Sequence, residues 1–298
     1  MPNIKNADEV KRASGLLIIE VINSNPNGDP DRESDPRQRP DERGKISPVS
    51  FKRKLRDLVQ PDITDTKRTP VWDAISRTFT PVLSPDDYWI LESRSRERKK
   101  IEKELADNTF VSKYWDGRLF GNTFLEEGAS NYIKTGVVQV GMGVSVSPVF
   151  IERDTNTNKA GVQEGKTRGM APLGSRYVQH GVYTMPFFVN PSAASRSGCK
   201  QVDVDLMLKL IPYAYSHNLS TARPFVGIRH AWYMEHKSPL GSCSDFSLIE
   251  KLTPRRKGDD SEKPSTSWSD YHVPTDVGEL RTKLADFRDL MLQVGEDA

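Results

Sequence analysis

Features that mark several common protein classes are scarce in this sequence. The 298 residues contain two cysteines, Cys199 and Cys243, which lie far apart and outside any CxxC spacing. Disulfide frameworks and zinc sites need more cysteines at characteristic spacings, so we expect two free, reduced thiols. No run approaches the roughly 18 apolar residues that span a bilayer. The charged N-terminal residues lack the apolar stretch of a signal peptide, so we expect a cytoplasmic protein.

Motifs of common enzymes are also scarce. The five histidines are scattered, and none has metal-ligand spacing from another histidine or a cysteine. No local pattern assembles a Ser/His/Asp or Cys/His site. Residues 161–167, GVQEGKT, lack one residue of a phosphate-binding loop and carry a glutamate where phosphate would lie. The sequence therefore predicts no enzymatic activity, no metal site and no cofactor.

Charge, in contrast, is plentiful and unevenly distributed. Charged residues make up 28% of the chain, yet the net charge is +2. Basic residues dominate two stretches, 37–56 and 166–229, each with eight Lys or Arg against two acids. Segregation of this kind attracts anionic partners, most commonly nucleic acid. An uneven but merely solvated surface is the alternative.

A strand and a polar loop open the chain. Residues 15–22 are nearly all apolar β-formers, which predicts a central buried strand. Residues 24–40, SNPNGDPDRESDPRQRP, end that strand with prolines and charges, first mostly acidic and then basic. Ser47 is a suitable N-cap and Pro48 a suitable first residue for a helix over the next dozen residues.

This helix would present two different faces. Its apolar stripe starts at Phe51 and recurs at helical spacing, which indicates a buried face. At about 100° per residue, the adjoining flank collects three cations beside the polar loop. These cations are Lys52, Arg53 and Arg56.

The middle of the chain alternates between helical and strand-like patterns. Residues 60–134 favour a helical insertion, in which Arg118 of YWDGRLFG either packs into the core or faces a ligand. Strict alternation of apolar residues over 138–146 predicts one half-buried strand. Residues 152–176 form a polar, glycine-rich excursion, and the chain returns as a strand over 177–189.

The last part of the chain predicts a helix, a strand and a second helix. A helix over 200–217 would end early at Pro212. A strand over 225–235 would place Val226, Ile228, Trp232 and Met234 on one face. The tail from Asp276 has the spacing of an amphipathic helix. Without insertions the order is β-α-β-β-α-β, an α+β fold of the ferredoxin-like type, which by itself decides no function.

Recognition of RNA bases on a sheet face is not expected. The aromatic pattern by which such sheets stack bases is missing from SRYVQHGVYTM. If RNA binds, it does so through basic helices and loops, by charge and shape.

Several segments, taken in order, resemble one known family. They are SNPNGDPD, VSFKRKLRD, YWDGRLFG, GMGVSVSPVF, GVYTMPFFVNP and STARPFVGIRHAWY. They are similar to the backbone subunit of type I CRISPR Cascade, within the RAMP superfamily, and most similar to subtypes I-C and I-B. The resemblance extends over about residues 14–240, and its most specific pieces are NPNGDPD followed by KRKLR, and WDGRLFG.

This resemblance implies a hand-shaped, non-catalytic protein. The palm would be RRM-like, with halves at 14–59 and 135–240. A helical insertion at 60–134 would form fingers, a β-hairpin at about 152–176 a thumb, and 241–298 a C-terminal extension with an amphipathic helix. Copies would stack in a helical filament along the guide RNA (crRNA) beside other Cascade subunits, and the guide would pair with target DNA.

The resemblance also implies which residues contact RNA. The loop contributes Asn25, Asn27 and Gly28, whose short side chains and N–H groups suit close backbone approach. Phosphate contacts come from the basic residues Lys45, Lys52, Arg53, Arg56 and Arg118. The thumb contributes Lys166, Arg168 and Arg176, with Met170 as a wedge between bases and His180 at its return. The string RYVQHGVY departs from the pattern usual in the family, which leaves the roles of Arg176 and His180 open.

Two other functions remain as alternatives. A guide-dependent RNA endonuclease of the type III kind would need a catalytic group in the thumb loop, where Asp154 is the available aspartate. A stand-alone RNA-binding module would bind short RNA as a monomer.

Overall fold

The computed structural model describes residues 9–60, 67–93, 97–121, 135–158, 171–258 and 262–294. The strands are β1 (Ala13–Ser24), β2 (Gly28–Asp29), β3 (Asp35–Pro36), β4 (Arg43–Ile46), β5 (Val138–Val140), β6 (Gly143–Pro148), β7 (Ile151–Asn158), β8 (Ala171–Val189), β9 (Val226–His236), β10 (Arg255–Arg256), β11 (Tyr271–His272) and β12 (Leu284–Asp289). The α-helices are α1 (Pro48–Val59), α2 (Pro70–Ser76), α3 (Arg98–Ala106), α4 (Phe110–Lys113), α5 (Trp115–Phe120), α6 (Ala194–Ser197), α7 (Gln201–Leu210) and α8 (Asp245–Leu252).

One large antiparallel sheet organises this mixed α+β fold. Its strands lie in the order β12-β9-β1-β8-β6-β4, and β5 and β7 also pair with the long strand β8. Strand β1 lies between β8 and β9, antiparallel to both. None of the described helices is long and apolar enough to cross a membrane.

Strand β1 separates two hydrophobic cores. Leu17 and Ile19 pack into the core that covers one face of the sheet, together with α1 and α7. Leu16 and Ile18 pack into the core on the opposite face, together with α8. A strand buried on both faces needs an unbroken apolar run rather than alternation. The prediction of a central buried strand at 15–22 is confirmed.

Helix α1 begins and packs as its sequence indicates. The Ser47 hydroxyl accepts a hydrogen bond from the Ser50 N–H at 3.2 Å, and Pro48 is the first helical residue. Phe51, Leu55 and Leu58 are buried. The predicted N-cap and apolar stripe are confirmed, and this helix starts directly after the polar loop.

The apolar alternation over 138–146 does not form a single strand. The chain breaks at Gly141, whose N–H donates to the Pro186 carbonyl at 2.7 Å, and Met142 is exposed. Strands β5 and β6 therefore pair separately with β8. In β6 the buried positions are Ser145 and Ser147 rather than the valines, so the prediction of one half-buried strand was wrong.

A β-bulge in β9 divides its apolar residues between the two faces. Ile18 pairs with His230 whereas Ile19 pairs with Ile228, so one extra residue is inserted between them. An inserted residue reverses the in-out alternation beyond it. Val226 and Ile228 consequently pack into the core of α1 and α7, while Trp232 and Met234 pack into the opposite core. The predicted single apolar face was wrong.

The predicted amphipathic helix from Asp276 is also wrong. Residues 278–283 form a 3₁₀ helix, and Leu284–Asp289 form strand β12 at the edge of the sheet. Pairing with β9 satisfies the backbone hydrogen-bonding groups of β12, and this tertiary contact outweighs the local helix propensity. Leu284 and Phe287 still pack into a core. The register of β12 is irregular between Leu284 and Asp286, so two residues three positions apart face the same side in this strand, as they would in a helix.

The described part of 67–121 is helical and has a small core of its own. Leu91, Ile101, Phe110 and Tyr114 form this third cluster. Helix α7 ends at Leu210, and a 3₁₀ turn over 211–213 contains Pro212, so the expected early end is confirmed. Cys199 and Cys243 are free thiols, as predicted.

Candidate nucleic-acid interface

The acidic residues of the loop pair with arginines of the hairpin formed by β7 and β8. Arg153 contacts Asp35 at 2.5 Å, and Arg176 contacts Asp35 at 3.4 Å and also Glu33. The hydrogen bond from Arg153 holds the pKa of Asp35 below its usual range. These ion pairs dock the loop on the base of the hairpin. The charge of Arg176 is therefore already balanced by carboxylates of the loop before any phosphate binds.

The asparagines of the loop hold its shape. The Asn27 Oδ1 accepts a hydrogen bond from the Ser47 N–H at 2.8 Å, which ties the loop to the start of α1. The Asn25 Nδ2 donates to the Ser34 carbonyl at 2.7 Å. Gly28 lies so close that an added Cβ would be 3.1 Å from the same carbonyl oxygen.

One atom of this loop stays unsatisfied. The Asn25 Oδ1 is buried and has no hydrogen-bond partner, and its amide cannot flip without turning an oxygen towards the Ser34 carbonyl. Asn25 borders an open groove of about 610 Å³ that is also lined by Arg176, Tyr177 and Thr221.

Arg56 does not lie on the exposed flank expected from the helical wheel. It is 2% exposed, and its Nε donates to the Asp116 carboxylate at 2.8 Å. A second guanidinium nitrogen lies 3.1 Å from the Glu92 carboxylate. The guanidinium also lies over the Phe120 ring. Arg56 thus links α1 to α5, and its expected availability to phosphate is corrected.

Arg118 likewise serves the fold. It is 5% exposed and contacts the Asp203 carboxylate of α7 at 2.7 and 3.1 Å. It also donates to the Val111 and Asp87 carbonyls at 2.9 Å each. Of the two roles open for this arginine, the structure gives it the one in core packing.

His180 lies in the interior of the sheet. Its Nε2 is 3.2 Å from a Glu20 carboxylate oxygen and its Nδ1 is 2.7 Å from the Ser265 hydroxyl. Glu20 also pairs with Arg229 at 2.7 Å. With 3% exposure, His180 joins three segments of the chain and does not face solvent.

Two of the expected cations keep an amine available. Lys45 in β4 is half-buried, and no carboxylate pairs with it within the described ranges. Lys52 lies 5.1 Å from the centre of the Phe120 ring, and burial lowers its pKa. Arg53, by contrast, bonds Asp57 and donates to the Glu92 carbonyl at 2.8 Å. The lysines are therefore the better placed of the three for phosphate.

Sequence reasoning passed over three further polar side chains beside this surface. Lys54 on α1 lies over the Tyr215 ring, and Arg223 is close enough for its charge to lower the pKa of Lys54. The available signals were the third basic residue in KRKLR and the arginine in STARPF. Helical periodicity hides Lys54 because it lies on the buried side, where a lysine is not expected.

The expected thumb tip lies outside the described residues. Lys166, Arg168 and Met170 belong to 159–170, and their roles stay predictions. On the described part of the hairpin, Asp154 accepts a hydrogen bond from the Tyr177 hydroxyl at 2.7 Å, which raises the pKa of Tyr177 to about 12. Among the residues that the structure describes, no group of three His, Cys, Asp or Glu could hold a metal ion.

Comparison with known proteins decides the family. The family model described as CRISPR-associated protein Cas7 matches residues 11–276, which include the loop, α1, the hairpin and every strand of the central sheet except β12. The chain belongs to the Cas7 family.

The chain is also similar to one Cas7 relative and to two solved structures. A CRISPR-associated protein Cas7 of Haloferax volcanii is 25% identical over 325 residues, covering 96% of this chain and 87% of the relative. A chain of a "CRISPR RNA-guided surveillance complex, pre-nicking" is 17% identical with a TM-score of 0.47, covering 74% of this chain and 75% of its own. A chain of a "CRISPR RNA-guided surveillance complex" is 16% identical with a TM-score of 0.39, covering 82% and 77%.

Proposed function

We propose that this chain is a non-catalytic backbone subunit of a type I CRISPR interference complex. Copies of it bind the spacer of a guide RNA along a filament and present the guide for pairing with target DNA, beside other subunits of the complex. The observation that carries this proposal is membership in the Cas7 family over residues 11–276. The unpaired lysines beside the polar loop supply the charge that such a role requires.

We propose a ferredoxin-like palm for the central sheet. The chain runs β1-α1-β6-β8-α7-β9, and the strands lie in the order β9-β1-β8-β6. This spatial order, fourth, first, third and second, supports the β-α-β-β-α-β palm. Both helices pack on the same face, through residues such as Leu55 and Leu206.

The remaining segments take the other parts of the hand. The helical residues between 60 and 134 form the fingers, and the hairpin of β7 and β8, at about 152–176, forms the thumb. The extension over 241–298 packs α8 and β12 on the palm instead of the amphipathic helix expected there.

RNA contacts in this proposal fall into two kinds. Lys45 and Lys52, with their unpaired amines, bind phosphates by charge. Asn25, Asn27 and Gly28 shape a loop that RNA can approach closely. On the thumb, Arg176, Lys166 and Arg168 contact phosphates, and Met170 separates bases. Phosphate contacts position the guide without reading its sequence.

Assembly on guide RNA tests the proposal. The protein is co-expressed with a guide RNA, purified and imaged by negative-stain electron microscopy. The expected result is a curved filament whose length increases with the spacer. Monomers on short RNA, with no filament on longer RNA, would support a stand-alone RNA-binding module instead.

A cleavage assay tests the absence of catalysis. The assembled filament is incubated with labelled RNA complementary to the guide. We expect the complementary RNA to stay intact. Cuts at regular intervals would support the type III endonuclease alternative, and Asp154→Asn would then show whether that carboxylate is responsible.

A further inference from the structure

Among the described residues, two buried polar groups without hydrogen bonds and one lysine lie together where α1 packs against the segment that follows α7. The Lys54 Nζ lies 5.5 Å from the centre of the Tyr215 ring. The Tyr215 hydroxyl and the Arg223 Nε are both buried and form no hydrogen bond. Within the described part of the chain, no carboxylate pairs with Lys54 or Arg223. Buried polar atoms are nearly always hydrogen-bonded, so two unsatisfied donor groups beside a buried lysine require an explanation.

The cluster is held in place by its surroundings. The Asn218 Nδ2 donates to the Lys54 carbonyl at 3.2 Å and to the Ala214 carbonyl at 2.9 Å, which fastens the segment to α1. The Arg223 N–H donates to the Ser220 carbonyl at 2.8 Å and closes the turn that carries the guanidinium. Arg223 is half-buried, and its neighbours in this turn are exposed. The cluster is therefore held in place and borders solvent at Arg223, whereas the Tyr215 hydroxyl lies in the interior.

The charge of the cluster is uncompensated. Lys54 is 7% exposed, and burial, with the nearby charge of Arg223, lowers its pKa to about 8. The nearest acidic influence on Lys54 is Asp57, whose carboxylate is already bonded to Arg53. Burying an ammonium group without a carboxylate costs stability. A buried charge that lowers stability is therefore expected to serve a function, because binding sites often reduce the stability of a protein.

All three groups donate hydrogen bonds or carry positive charge, which defines the ligand. A phosphate group presents several acceptor oxygens and a negative charge, and arginine and lysine are the side chains that most often bind it. The turn that carries Arg223 also holds the polar loop, since the Asn25 N–H donates to the Ala222 carbonyl at 2.7 Å. The cluster thus adjoins the surface already assigned to RNA.

We propose that Lys54, Tyr215 and Arg223 form a binding site for one phosphodiester group of the RNA backbone. This inference rests on the proposed function, because the RNA bound there is the guide. Lys54 and Arg223 neutralise the phosphate, and the Tyr215 hydroxyl donates to one of its oxygens. The site fixes the backbone at one point in each copy of the chain.

Binding of a fluorescently labelled single-stranded RNA, measured by anisotropy at several salt concentrations, tests the site. We expect Lys54→Met and Arg223→Gln each to weaken binding roughly ten- to a hundredfold, the range for a charged hydrogen bond. The double variant should reduce the slope of log K against log salt by about 0.7 in magnitude, because it leaves one phosphate without a cation, and each single variant should reduce the slope by less. Because both residues hold one phosphate, the double variant should lose less than the product of the single losses. Tyr215→Phe should cause a smaller loss.

The matched control is Lys251→Met, which removes the same charge from an exposed position on α8. Its affinity and slope should equal those of the wild type. Thermal unfolding of the free protein separates binding from folding. Lys54→Met removes a buried, unpaired charge and should leave the protein at least as stable as the wild type. A variant that binds less RNA while folding equally well cannot owe its defect to misfolding.

The pH dependence provides a second, independent measurement. Phosphate binds the protonated amine, and the Lys54 pKa of about 8 in the free protein means that the charge is lost as the pH rises from 7 to 9. Wild-type affinity should fall over this interval, and Lys54→Met should reduce that fall. Tyr215 stays neutral throughout, because burial raises its pKa.

The possible outcomes separate this site from the proposed function. If the wild type binds no RNA, the proposed function itself fails. If the wild type binds RNA and the Lys54 and Arg223 variants keep its affinity and slope, the phosphate site is refuted and the function stands. If the variants bind short RNA normally but no longer assemble into filaments, the anion is a carboxylate of a second copy of the chain, and the proposal is wrong.

Discussion

Basic residues of α1 serve different ends although they are consecutive in the sequence. Arg56 is buried against Asp116, Arg53 is bonded to Asp57, and Lys52 and Lys54 have no carboxylate partner among the described residues. An arginine can hold a carboxylate through a planar fork and is therefore favoured for buried ion pairs. Charge alone thus does not identify the residues available to RNA. They are identified by whether each cation already has a carboxylate partner within the protein.

Replacing Arg56 and replacing Lys52 should have different effects on the stability of the fold. Removing one member of a buried ion pair leaves the other charge uncompensated, so Arg56→Ala should lower the free energy of unfolding by about 3–5 kcal/mol. Lys52→Ala should change it little, because the half-buried amine has no such partner. Urea unfolding followed by circular dichroism measures both. Equal stability of the two variants would show that the Arg56–Asp116 pair does not support the fold.

At the scale of elements, the loop and the hairpin act as one unit. Asp35 of the loop connects the two, because it forms ion pairs with Arg153 and Arg176 of the hairpin. Under the proposed function, a loop docked on this hairpin lies near the same stretch of RNA as the hairpin does. The acidic residues of the loop, which would repel phosphate if free, are thereby neutralised within the protein.

Protonation of Asp35 should loosen this connection. Because the folded state lowers the pKa of Asp35, its contribution is fully present above the ordinary aspartate pKa and is lost as the pH falls through the lowered value. Asp35→Asn should therefore speed amide hydrogen exchange at Ser34 and Arg37 at neutral pH. The wild type should approach the variant's behaviour below about pH 4. Asp41→Asn, at an exposed ion pair, is the control, and identical exchange in all three proteins would contradict the docked loop.

The tip of the hairpin carries a prediction from the sequence. Met170 in RGMAPLG is expected to insert between guide bases, since an apolar side chain can replace the stacking that is lost. Met170→Ala should leave RNA affinity almost unchanged, because phosphates supply the affinity. Chemical probing of the bound guide should lose its periodic pattern of exposed bases. An unaltered pattern would show that another residue separates the bases.

The sequence predicted elements whose signals are local. The apolar run of β1 and the N-cap of α1 each depend on a few neighbouring residues, and both predictions are confirmed. The errors arose where partners are distant in sequence. The bulge in β9 depends on its pairing with β1, and β12 forms because an edge of the sheet is available to it.

The same distinction applies to the candidate site. Lysines and asparagines of the loop could be selected from local motifs. The partners that remove Arg56 and Arg118 from the surface could not be, since Asp116 and Asp203 lie 60 and 85 residues away. Lys54 was missed for the converse reason, because its position on the buried face suggested a structural role. To decide whether a basic residue supports the fold or is available to RNA, one must know which carboxylates lie near it in the folded protein.

At the scale of the whole molecule, the sheet separates two tasks. One face carries α1 and α7, and the polar loop and the hairpin continue from the strands of the same sheet. The other face carries α8, which completes a second core together with side chains of the edge strand β12. The unpaired cations Lys52, Lys54 and Arg223 belong to α1 and to the segment between α7 and β9. Under the proposed function, the surface for guide RNA is built on one face of the sheet and supported from the other.

This arrangement predicts how the whole protein binds RNA. Charge and shape supply the contacts and no aromatic platform reads bases, so affinity should depend on salt and hardly on sequence. Each phosphate neutralised should contribute about −0.7 to the slope of log K against log salt for a single strand. The measurement is filter binding of two unrelated spacers of equal length over a range of salt concentrations. A spacer of the same sequence with an uncharged backbone is the control and should bind weakly at every salt concentration. A complex that is insensitive to salt, or a strong preference between the two spacers, would mean that the protein reads bases and that the cations on this face are not its main contacts.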